Sequence, residues 1–97
     1  MELLQLTYFC DAAETENFSQ TAKTYRVPTS NISQSIHRLE TELGVLLFDR
    51  LANRVSLNDN GRFFYTNIKS ALTMIGDAKN KLCDIDEISG EIKILVE

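Results

Sequence analysis

The chain is poor in the residues from which reactive sites are usually assembled. It has one histidine, one proline, two cysteines and four glycines in 97 residues. His37 has no second His and no Cys beside it, so neither a zinc site nor a nucleophile–base pair can be built around it. Cys10 and Cys83 lie far apart and match no metal-ligand spacing, and they read as the reduced thiols of a cytoplasmic protein. Cys10 falls on an apolar helix face, where a free cysteine is ordinary core. Gly44, Gly61, Gly76 and Gly90 are each isolated, so there is no glycine-rich phosphate loop. These absences predict no enzyme, and no cofactor or metal held by this stretch. The longest apolar run, Val45-Leu46-Leu47-Phe48, is far short of the roughly 18 residues a membrane span needs. Met1-Glu2-Leu3-Leu4 lacks the basic and apolar regions of a signal peptide.

What is present fits one globular domain, with 43% hydrophobic and 25% charged residues. The formal net charge of −4 opposes a nucleic-acid partner, but its distribution does not. Residues 1–17 hold Glu2, Asp11, Glu14 and Glu16 with no base, and residues 63–97 hold six acids against four lysines. Between them, Lys23, Arg26, Arg38, Arg50, Arg54 and Arg62 outnumber Glu40, Glu42, Asp49 and Asp59, and no acid lies between Glu16 and Glu40. A local acid-free stretch is what a phosphate-facing surface requires, so charge permits such a partner without requiring it.

Periodicity divides the chain into a mainly α pattern with one small hairpin. Leu3, Leu6, Phe9, Cys10 and Ala13 make one face of a first helix, which Asn17 is expected to stop. A short second helix is expected from Ser19, as N-cap, to Tyr25, and Arg26-Val27-Pro28 breaks it. A third helix starts near Thr29, capped by Thr29 or Ser30, with Ile32, Ile36, Leu39 and Leu43 inward and Gly44 as its stop. Leu47–Arg50 and Arg54–Leu57 read as a hairpin joined through Leu51-Ala52-Asn53. Asn58 caps a last helix over residues 59–89. Its heptad seam places Phe64, Ala71, Ala78 and Ile85 at one position and Ile68, Ile75 and Leu82 at the other, which calls for a partner helix. Residues 91–97, Glu-Ile-Lys-Ile-Leu-Val-Glu, read as a strand with no sheet to join, the start of a further domain over 90–97.

Two short helices joined by a tight turn, the second with a polar outer face, suit a helix laid in the major groove. Thr29, Ser30, Asn31, Ser33, Gln34 and His37 lie along that leading side, and hydroxyls and amides can both donate to and accept from base edges. Ser19, Lys23, Arg38, Arg50, Asn53 and Arg54 are the candidates for backbone and wing contacts, Ser19 and Lys23 because helix starts favour phosphate. Residue chemistry alone leaves this face equally open to being merely solvated. The acidic total also leaves open a winged-helix module that binds protein and never DNA.

The spacing Phe9-x8-Phe18-Ser19-x2-Ala22, then Ile32-Ser33-x2-Ile36-x2-Leu39-Glu40-x2-Leu43-Gly44-Val45-x-Leu47-Phe48-x-Arg50, then Leu57-x3-Gly61, resembles the N-terminal domain of LysR-type transcriptional regulators. The resemblance implies a winged helix-turn-helix over 1–58 and a linker helix that pairs with its copy in a second subunit. It further implies that 90–97 begin a two-lobed domain sensing a small-molecule effector, in a full-length protein that commonly forms tetramers. Double-stranded DNA carrying an interrupted inverted repeat is the implied partner. Three positions depart from the family's habit. Pro28-Thr29-Ser30 stands where Ser-Gln-Pro or Ser-Gln-Ser is frequent, so a base-touching glutamine is replaced by the shorter Thr29. Gln34 replaces a common arginine, and Thr21-Ala22 replaces an alanine pair. The implied reading face is less cationic than usual and leans on neutral hydrogen bonds.

Overall fold

The computed structural model describes residues 1–89, with side chains as far as Cys83. Helices α1 (Leu3–Thr15), α2 (Phe18–Tyr25) and α3 (Thr29–Leu43) are followed by strands β1 (Phe48–Leu51) and β2 (Arg54–Leu57) and the long helix α4 (Asp59–Ser89). The strand expected over 91–97 and the side chain of Ile85 lie outside the described residues.

Helix α1 is the hub. It packs against α2, α3 and α4, and Tyr8, Phe9, Cys10, Ala12 and Ala13 are all buried. Being covered on several sides blurs its two-faced pattern, and Leu3, expected inside, is 54% exposed. Four aromatic rings tie the elements together. Phe9 lies 5.8 Å from Phe48 and 5.3 Å from Phe64, and Phe18 lies 5.3 Å from Phe48, between centroids. Such tilted and edge-to-face pairs each add roughly 0.5–1.5 kcal/mol beyond the area they bury.

The junction between α1 and α2 differs from expectation by two residues. Glu16, not Asn17, takes the left-handed conformation (φ 53°) that ends α1, and its N–H donates to Ala12 O. Asn17 is extended and caps α2, its side-chain oxygen accepting from the Gln20 N–H at 3.0 Å. Ser19 therefore sits inside the first turn, one residue after Phe18, whose ring packs on Phe48. Thr21, one of the family departures, is fully buried, with Thr15 Oγ1 3.4 Å from its hydroxyl. Arg26 closes α2 in the left-handed region (φ 57°), and the Val27 N–H returns to Ala22 O at 3.0 Å. Neither Thr29 nor Ser30 caps α3. Pro28 occupies the cap position with no side-chain bond, its fixed φ of −63° serving the turn.

The far end of α3 follows the sequence. Ile32, Ile36 and Leu39 are fully buried, Leu43 is half-buried, and Gly44 (φ 78°) ends the helix with its N–H on Glu40 O at 2.8 Å. The strands pair antiparallel from Phe48↔Leu57 to Leu51↔Arg54, so the turn is the two residues Ala52-Asn53 and the first strand starts one residue later than expected. Asn58 caps α4 as anticipated, accepting from the Gly61 N–H at 2.8 Å while its amide donates to Leu46 O at 3.0 Å. Gly61 is required there, since a Cβ would collide with the carbonyl of Leu47 and the side chain of Leu57.

Candidate nucleic-acid interface

Helix α3 buries one side and leaves Thr29, Ser30, Asn31, Ser33, Gln34 and His37 exposed on the others. Some polar side chains elsewhere in the fold are used internally: Gln5 donates to Ser35 O, Asn17 caps α2 and Asn58 caps α4. The six on α3 have no side-chain hydrogen bond to any other described residue, so their donors and acceptors are free for a ligand. Ser30, Gln34 and His37 follow one another at helical spacing. Thr41 continues the line, exposed, and escaped notice in the sequence because it falls near the helix end.

Around this face the cations differ in what holds them. Lys23, Arg38 and Arg54 are exposed and have no ion-pair partner among the described residues, and Arg26, at the turn before α3, joins them. Arg38 lies on the flank toward α1, in a groove it shares with Glu2 and Glu42. The fold brings Ser19, Asn53 and Arg54 to one cleft of about 690 Å³ between the start of α2 and the wing. Glu16 also borders that cleft, and its carboxylate accepts from the Leu57 N–H at 2.8 Å, fixing the wing to the end of α1. Lys23 and Arg50 do not line it. Arg50 donates instead to Glu40 at 3.4 Å.

Helix α4 divides into a gripped part and a bare part. Phe64, Ile68 and Leu72 are half-buried against the chain's own core, so two of the seven residues assigned to the partner seam, Phe64 and Ile68, serve the head. Ala71, Ile75, Ala78 and Leu82 are exposed, with Ile75 at 48% and Leu82 at 58%. Phe63 and Met74, absent from the heptad assignment, are barer still at 74% and 70%. At about 100° per residue Ile75 and Leu82 continue the line of Phe64 and Ile68 beyond the head, whereas Phe63 and Met74 lie roughly a quarter to a third of a turn away.

The gripped part is fastened at its rim. Glu14 Oε2 on α1 accepts from Tyr65 OH at 2.7 Å and from Lys69 Nζ at 2.8 Å. Lys69, then Tyr65, hold the Glu14 carboxyl below its ordinary value. Cys10, nearby, has its thiol pushed up to about 11 by burial, which keeps it protonated and unreactive.

Comparison with known proteins gives the same picture. The family described as bacterial regulatory helix-turn-helix protein, lysR family, matches residues 3–62. The transcriptional dual regulator GltC of Bacillus subtilis is 39% identical over 95 residues, covering 97% of this chain and 32% of its own length. The transcriptional activator IlvY of Haemophilus influenzae is 37% identical over 95 residues, with the same coverage of 97% and 32%. The chain thus spans about a third of the length of these relatives. Among solved structures, the BenM DNA-binding domain on catB site 1 DNA superposes with a TM-score of 0.83 at 29% identity, covering 88% of this chain and 96% of that one. The CbnR DNA-binding domain bound to DNA superposes with a TM-score of 0.78 at 31% identity, covering 84% and 93%. On the family match and these identities, the chain belongs to the lysR family of bacterial regulatory helix-turn-helix proteins.

Proposed function

We propose that this chain reads double-stranded DNA for a transcription regulator, laying α3 in the major groove and the wing along the backbone. The observation that carries the reading is the unspent polar face of α3, six exposed side chains with no internal hydrogen-bond partner. Thr29, Ser30, Asn31, Ser33, Gln34 and His37 address base edges, while Ser19, Lys23, Arg38, Asn53 and Arg54 meet phosphate and sugar. The names of the relatives support this reading, and they lend no support to a protein-interaction module.

Two copies act together on an interrupted inverted repeat, paired through the bare face of α4, so that half-site spacing follows from the helix pair. A whole protein built like its relatives binds a small-molecule effector outside this chain, assembles to a tetramer and works in the cytoplasm. No helix among the described residues is long and apolar enough to cross a membrane. Selection of DNA fragments from a random pool by the purified chain tests the core of the proposal. Enrichment of one motif, altered by Gln34→Ala or Ser33→Ala, is the expected result. Failure of the chain to enrich any sequence sinks it.

A further inference from the structure

Arg50, on β1, differs from every other cation near the reading face in being held from two other elements, α2 and α3. Glu40 on α3 is 3% exposed, and its Oε2 accepts from the Leu47 N–H at 2.8 Å and the Phe48 N–H at 3.3 Å. Its Oε1 accepts from Arg50 Nη2 at 3.4 Å. The guanidinium carbon of Arg50 lies 5.7 Å from the ring centroid of Phe18 on α2, within cation–π range. One side chain on the wing thus touches α2 and α3 at once, at the point where the chain passes from the recognition helix into β1. A carboxylate that deep in the protein requires compensation for its charge, and Arg50 is its only cationic partner among the described residues. Moving the guanidinium out to a phosphate would leave Oε1 buried and unpaired. Arg54, the first residue past the turn, bears no such tie among the described residues.

We infer that Arg50 is a positioning residue and not a phosphate ligand: with Glu40 it locks the wing to α3 and so sets where Asn53 and Arg54 meet the DNA backbone. The inference rests on the DNA-binding reading above. Arginine is suited to this because its planar fork can bond a carboxylate while its face lies on an aromatic ring, which lysine cannot reproduce.

Counterion release separates the two roles. Each phosphate contact contributes about 0.9 to the slope of log affinity against log salt. Binding of wild type, Arg50→Met, Arg50→Lys and Arg54→Met to a selected site is measured between about 50 and 200 mM salt. Arg54→Met is expected to reduce the slope by about 0.9. Arg50→Met is expected to keep the wild-type slope while weakening binding at every salt concentration, and hydroxyl-radical protection under the wing shrinks while that under α3 persists. Arg50→Lys behaves as Arg50→Met in the footprint. A loss of slope in Arg50→Met equal to that of Arg54→Met, or recovery of the wild-type footprint by Arg50→Lys, overturns the assignment. A second arm needs no DNA. Arg50→Lys is expected to lower the urea midpoint in the wild-type background and to leave it unmoved in a Glu40→Gln background. Equal shifts in both backgrounds overturn the lock even if the chain selects no DNA at all, whereas absence of any selected site with a non-additive urea result overturns only the DNA-binding reading.

Discussion

Ala52, at the tip of the wing, has φ of 54°, a left-handed conformation that costs a residue with a Cβ about 1–2 kcal/mol. Ala52→Gly is expected to raise stability by up to about 1 kcal/mol, part of the gain being lost to the flexibility of glycine in the unfolded chain, and urea unfolding would measure it. An unchanged or lowered midpoint would show that the turn carries no strain. Glu40 works in the opposite sense. Glu40→Ala strands the N–H groups of Leu47 and Phe48 and frees Arg50, and a loss of about 3 kcal/mol or more is expected in the same measurement. A loss under about 1 kcal/mol would mean that water reaches these groups easily. At this scale the sequence is legible only where a residue acts on near neighbours. Asn58 was recognisable as a cap because its partner, Gly61, is three residues on. Arg50 looked like a free cation because its anchor, Glu40, is ten residues back across a turn whose geometry the sequence does not display.

The helices show the same principle over longer stretches. In α3 one side is buried and the other is bare, so Ile32, Ile36 and Leu39 declared themselves by spacing alone. In α4 a single apolar line serves the head at Phe64 and Ile68 and runs on bare through Ile75 and Leu82, and only burial separates the two parts. Gly76 lies in mid-helix with nothing within 4 Å of where a Cβ would stand. Gly76→Ala is therefore expected to stabilise the chain by up to about 1 kcal/mol, and a destabilised variant would reveal a close helix approach at that point. The Glu14 clip makes the α1–α4 packing sensitive to acid. Because the folded state depresses this carboxyl, its contribution is complete above the ordinary value of 4.5 and disappears as pH falls through the lowered value. The clip is exposed, so the effect is a fraction of a kcal/mol, in the range of about 0.2–1 for surface pairs. Glu14→Gln is expected to flatten this acid limb of the stability curve, and a limb identical to wild type would assign it to other carboxylates.

For the whole molecule, the bare face of α4 predicts the state of association. Leu82→Glu combined with Met74→Glu places charge on that face without touching the head core, and is expected to weaken self-association at least about tenfold, some 1.4 kcal/mol. Sedimentation at several concentrations checks it, and a doubly substituted chain that pairs like wild type would move the partner surface elsewhere. What the sequence could not convey here is depth. A charge total of −4 says nothing of where the acids are spent, and the structure ties Glu14 to α4 and Glu16 to the Leu57 N–H of β2.

The grip on α4 ends at Leu72, while the helix runs on to Ser89. Residues 73–89 form an arm of roughly 25 Å at 1.5 Å per residue. If the arm stays straight, a displacement of about 2 Å at its far end rotates the head by roughly 5°. The linker is in that sense a gear as well as a tether. Under the proposed docking, a displacement at Ser89 would turn the row Ser30, Gln34 and His37 in the groove, and the Glu14 clip to Tyr65 and Lys69 and the Phe9–Phe64 contact would carry that rotation into the head.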